Sequence, residues 1–175
     1  MQPWSKTVAN FSNLATLYSA ARAGVDDVPY HLSQKPQIMI HIDNGWNLTL
    51  QQRWFGALTA NGVKTSAWDV FGFSFYPFYG TAATFANLKT TLNTLAKEYK
   101  KPIQVVETDY PAICNGQWNP IPESSEPSIG YSVGGQLTWV KKVIEIVRAI
   151  PNGLGQGVLH PFSFSLYILH FVSNC

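Results

Sequence analysis

Three apolar runs in this sequence each break off at side chains able to do chemistry. Ile38-Met39-Ile40 leads to His41 and Asp43, the run from Val70 to Phe75 leads to Tyr76, and Val105-Val106 leads to Glu107 and Asp109. A carboxylate whose backbone belongs to a strand end has little freedom. That suits a covalent nucleophile, which tolerates little misplacement. Glu107 is the sharpest case because it follows Val106 directly. A solvated or ion-paired loop glutamate fits the same local sequence equally well.

The neighbours carry competing readings too. Asp43 opens an Asp-Asn-Gly turn, where aspartate accepts backbone hydrogen bonds. His41, between two isoleucines, reads as a satisfied interior histidine. The Tyr76 hydroxyl can donate to a carboxylate or stay in the core. Trp46 can offer a flat stacking surface or simply cover a strand end. No His, Cys and carboxylate spacing fits a metal site, no serine nucleophile elbow occurs, and no glycine-rich phosphate loop follows a strand. The sequence therefore predicts neither a metal nor a cofactor.

The elements needed to hold these residues are legible from periodicity. Residues 10–23 predict a helix with Leu14, Leu17, Tyr18 and Ala21 on one face, stopped by Gly24. Further helices are predicted over about 49–60, 82–99 and 133–150, the third with Phe85, Leu88, Leu92 and Leu95 at helical spacing. Strands are predicted over 36–43, 70–76 and 103–107, with one more beginning within 153–158; residues 114–128 read as a long loop. Helices alternating with strands that are apolar on both faces mean an α/β architecture with a parallel sheet. A doubly wound sheet and part of a (β/α)8 barrel both remain open. In the barrel, working residues sit where the strands end, as these do.

Composition sets the outer bounds. The chain has 175 residues, 46% hydrophobic and 13% charged, enough to bury a core. A net charge of +2 from scattered Lys and Arg argues against nucleic acid as a partner. The apolar stretch near the C-terminus is too short to span a bilayer. Cys114 and Cys175 are too few for a disulfide framework.

Three long motifs, P-Q-I-M-I-H-I-D-N-G-W, D-V-F-G-F-S-F-Y-P-F-Y and V-V-E-T-D-Y-P, together resemble glycoside hydrolase family 53, the arabinogalactan endo-β-1,4-galactanases. The likeness extends through F-S-N-L-A-T-L-Y-S-A-A-R-A-G-V and S-V-G-G-Q-L-T-W-V, in the right order. It implies a partial (β/α)8 barrel over residues 1–158, the C-terminal half from helix four to the start of strand eight. Residues 159–175 show no correspondence and are expected to be a divergent tail, so His160 and His170 take no functional reading.

The resemblance implies retaining hydrolysis of internal β-1,4-galactosidic bonds, with Glu107 as nucleophile on strand seven. His41, Asp43, Trp46, Tyr76 and Asp109 are then expected to bind substrate. The acid/base glutamate of an Asn-Glu motif on strand four is expected to precede Trp4 and so to be missing. The alternative function is therefore a catalytically inactive carbohydrate-binding or misfolded fragment. The expected partner is β-1,4-galactan or arabinogalactan, and the expected state a secreted monomer. Family likeness also implies a disulfide at Cys114, while no calcium site can be placed. Asn10-Phe11-Ser12 and Asn47-Leu48-Thr49 fit glycosylation acceptors.

Overall fold

A computed structural model describes residues 11–29, 35–77, 80–113 and 125–159. Cys114, Cys175, Asn10, His160, His170 and most of the predicted 114–128 loop lie outside the described residues. The elements run α1 (Phe11–Asp26), β1 (Met39–Ile42), α2 (Leu48–Ala60), β2 (Val70–Phe75), α3 (Phe85–Tyr99), β3 (Ile103–Thr108), α4 (Val133–Arg148) and β4 (Gly155–Val158). The strands form one sheet in the order β1-β2-β3-β4, every pair parallel. Sequential neighbours joined by helices are what repeated right-handed β/α crossovers give.

Helices α2, α3 and α4 each begin where a short polar side chain accepts a free amide. Asn47 Oδ1 accepts from Leu50 N at 3.0 Å, Thr84 Oγ1 from Asn87 N at 3.2 Å, and Ser132 Oγ from Gly135 N at 2.9 Å. The predicted glycosylation tripeptide at Asn47 is thus also the start of α2. The third helix starts at Phe85 rather than near Ala82 because Thr84 caps it there.

Helix α1 differs from the prediction twice. It runs through Gly24 to Asp26. A glycine costs about 1 kcal/mol in a helix but does not itself end one, and Arg22 ties to Asp26 across it at 2.7 Å. The buried stripe is also rotated. Phe11, Leu14, Ala15 and Tyr18 pack inward, with Phe11 and Tyr18 edge-on to Trp54 of α2, whereas Leu17 is 68% exposed.

The sheet has two unlike faces. Ile40, Ile42, Phe71, Phe73, Phe75, Ile103 and Val105 are buried under the helices. Aromatic rings fill that layer: Phe55 meets Phe71 edge-on at 4.7 Å, and Trp139 of α4 stacks on Phe75 at 4.9 Å and on Tyr110 at 5.2 Å. Trp139 Nε1 donates to Thr108 Oγ1 at 2.7 Å, so its one polar atom is satisfied inside the core. The opposite face carries Met39, His41, Gly72, Ser74, Gln104 and Val106. A Cβ on Gly72 would lie 2.6 Å from Met39 Sδ and 3.3 Å from Val106 Cγ2, so a side chain there would displace the flexible Met39 thioether.

Candidate active site

Strict alternation along β3 would put Glu107 on the helix side with Ile103 and Val105. It does not lie there. Phe73 pairs with Val105, but the next pair is Ser74 with Glu107, so Val106 is skipped. One extra residue in a strand is a β-bulge, which re-aims the side chains that follow. Val106 and Glu107 consequently both lie on the face away from the helices, and Thr108 returns to the core, where it meets Trp139. Glu107 is exposed, in contrast to its buried neighbours Val105 and Thr108.

The strand ends then converge on one carboxylate. Ser74 Oγ donates to Glu107 Oε2 at 2.9 Å and the Tyr76 hydroxyl donates to the same oxygen at 3.3 Å. His41 Nε2 lies 2.7 Å from Ser74 Oγ. Three adjacent strands thus contribute His41, Ser74 with Tyr76, and Glu107, and two hydroxyls fix one carboxylate oxygen. Such an anchored, solvent-facing carboxylate can attack an electrophilic carbon or exchange a proton. His41, an expected interior residue on local sequence, is exposed and belongs to this group.

The remaining expected site residues, Asp43, Trp46 and Asp109, lie in the segments that leave β1 and β3. Asp43 is exposed, but its backbone carbonyl accepts from buried Gln51 Nε2 at 2.7 Å, and Asn44 takes a positive φ of 51°. Gly45 N then donates to Ser74 O at 2.9 Å. A Cβ on Gly45 would stand 2.7 Å from Phe73 Cβ, so only glycine allows this turn to press on the end of β2. Trp46 packs against the core, its carbonyl accepts from Thr91 Oγ1 at 2.9 Å, and its Nε1 is buried with no hydrogen-bond partner among the described residues. Asp109 Oδ1 accepts from Tyr110 N at 2.7 Å, and Gln136 Nε2 of α4 donates to Tyr110 O at 2.9 Å, which fixes the segment leaving β3.

Ser74 was the residue sequence reasoning missed. Its signal was a lone hydroxyl inside a strand of phenylalanines, a polar group that burial requires to be partnered. Among the described residues no three His, Cys, Asp or Glu side chains are grouped to hold a metal ion, and no helix is long and apolar enough to cross a membrane. A cavity of about 500 Å³ lies elsewhere, against α1 and the segment before β2, lined by Arg22, Asp26 and Lys64 among others.

Comparison with known proteins agrees with the strand-end motifs. The family model for glycosyl hydrolase family 53 matches residues 1–161. The arabinogalactan endo-β-1,4-galactanase of Thermothelomyces thermophilus is 40% identical over 151 residues, covering 83% of this chain and 43% of that protein. A protein of Neosartorya fischeri named probable arabinogalactan endo-β-1,4-galactanase A is 40% identical over 152 residues, covering 83% of this chain and 41% of its own length. Among solved structures, a fungal β-1,4-galactanase superposes with a TM-score of 0.77 at 33% identity, covering 91% of this chain and 47% of that one. The four β/α units are accordingly part of a (β/α)8 barrel, and the chain spans less than half the length of the relatives it matches. This chain belongs to glycosyl hydrolase family 53.

Proposed function

We propose that this chain carries the nucleophile of a retaining endo-β-1,4-galactanase, and that Glu107 is that nucleophile. The observation that carries the reading is the convergence of Ser74 and Tyr76 on Glu107 Oε2 at the C-terminal ends of parallel strands, where barrel enzymes do their chemistry. Relatives that share these strands are named as galactanases.

In the proposed reaction the Glu107 carboxylate attacks the anomeric carbon of a galactosyl unit. The bond to the leaving sugar oxygen breaks as a second carboxylic acid protonates that oxygen. Water activated by the resulting carboxylate then hydrolyses the ester, with net retention. The two carboxyls of such a pair stand about 5–5.5 Å apart, and we assign the second to another strand end of the complete barrel. His41, Asp43, Trp46, Tyr76 and Asp109 are proposed to line or brace the sugar cleft, Tyr76 by direct contact with Glu107 and His41 through Ser74. The proposed substrate is β-1,4-galactan or arabinogalactan, met outside the cell by a monomeric enzyme.

The test joins this chain to the preceding half-barrel of a family relative and measures oligosaccharides released from β-1,4-galactan. Release that Glu107→Gln abolishes supports the assignment. Equal release by the Glu107→Gln protein removes it.

A further inference from the structure

The hydroxyl of Ser74 stands between His41 and Glu107, and neither the sequence motifs nor the comparisons give it a role. It is 5% exposed, its flanking residues Phe73 and Phe75 are fully buried, and its carbonyl is held by Gly45 N at 2.9 Å. A serine hydroxyl on so fixed a backbone has few places to go. Glu107, by contrast, is exposed and has three rotatable bonds whose freedom must be removed before it can act. The rigid partner therefore directs the flexible one.

Proton counting fixes the direction of the contacts. A hydroxyl has one proton to give and two lone pairs, and an ionised carboxylate only accepts. The 2.9 Å contact to Glu107 Oε2 uses the Ser74 proton, so the 2.7 Å contact to His41 must be one in which Ser74 accepts. His41 must then carry its proton on Nε2. Resting on the reading of Glu107 as nucleophile, we propose that Ser74 is a positioning residue that aims the Glu107 carboxylate and is itself oriented by the Nε2–H of His41.

The test needs no substrate, so its failure is distinguishable from failure of the galactanase reading. Long-range proton–nitrogen NMR on the isotopically labelled 175-residue chain reads the His41 ring, and carbon detection reads Glu107 Cδ. The expected result is a single His41 tautomer with the proton on Nε2. In Ser74→Ala the ring averages between tautomers and the Glu107 Cδ resonance moves, while Ser74→Thr, which keeps the hydroxyl, restores both. A proton on Nδ1, an averaged ring in the unmodified chain, or a Ser74→Ala spectrum identical to it overturns the proposal.

Discussion

The two faces of the sheet use the same strands for opposite purposes. On the helix side, Phe71, Phe73, Phe75, Ile103 and Val105 are fully buried and touch mainly rings and aliphatic chains. On the other side, His41, Ser74 and Glu107 exchange hydrogen bonds and two of the three face solvent. Fully burying a Phe or Ile side chain contributes about 1.5–3 kcal/mol, whereas an exposed hydrogen-bonded carboxylate contributes little to folding. Stability and chemistry are thus separated by the two-residue period of the strand. The bulge at Val106 corrects the separation at Glu107, which without it would be driven into the aromatic layer.

That division predicts an order of mutational effects. Trp139→Ala removes the ring stacked on Phe75 and Tyr110 and orphans Thr108. It should cost about 3–5 kcal/mol in urea unfolding, and a loss under 1 kcal/mol would erase the contrast between the faces. Gly45→Ala forces a methyl group against Phe73 at the junction of the two faces. Overpacking of this kind costs about 1–3 kcal/mol, and it should also disturb Ser74, which a shift of the His41 and Glu107 NMR signals would report.

A smaller effect is expected from Thr108→Val, which keeps the shape but leaves Trp139 Nε1 buried without an acceptor, about 1–3 kcal/mol by chemical denaturation. The smallest belongs to the foot of the sheet. Hydrogen bonding from Arg22, with lesser attraction from Arg22 and Lys35, outweighs desolvation and holds the Asp26 carboxyl below its usual range. A lowered folded value means that its stabilising contribution is present above the unfolded value of about 3.9 and is lost as pH falls through the folded one. The small melting-temperature gap between the parent chain and Asp26→Asn should close below about pH 4; a gap that widens there contradicts the sign.

Much of this division was legible in the residues. The apolar runs at Ile38–Ile42 and Val70–Phe75 named the strands because short, bounded runs rich in β-branched and aromatic residues suit a strand in a parallel sheet. Glu107 stood out because it ended such a run. The bulge was not legible, since Val105 and Val106 are the same residue type and nothing in the sequence says which of them is skipped. Ser74 was missed for a related reason: a hydroxyl among phenylalanines gains meaning only when its partners on β1 and β3 are known, and those pairings are long-range. The face of α1 was misjudged because Leu17 and Phe11 offer equally apolar stripes, and contact with Trp54 decides between them.

On the proposed reading, the bulge delivers Glu107 to the sugar-facing side as the nucleophile. The most direct measurement is mass spectrometry of the barrel completed with a relative's preceding half, after exposure to a fluorinated galactoside that traps the glycosyl-enzyme ester. One covalent galactosyl adduct is expected, on the peptide containing Glu107 and absent in Glu107→Gln. An adduct on any other carboxylate, with Glu107 unmodified, would contradict it.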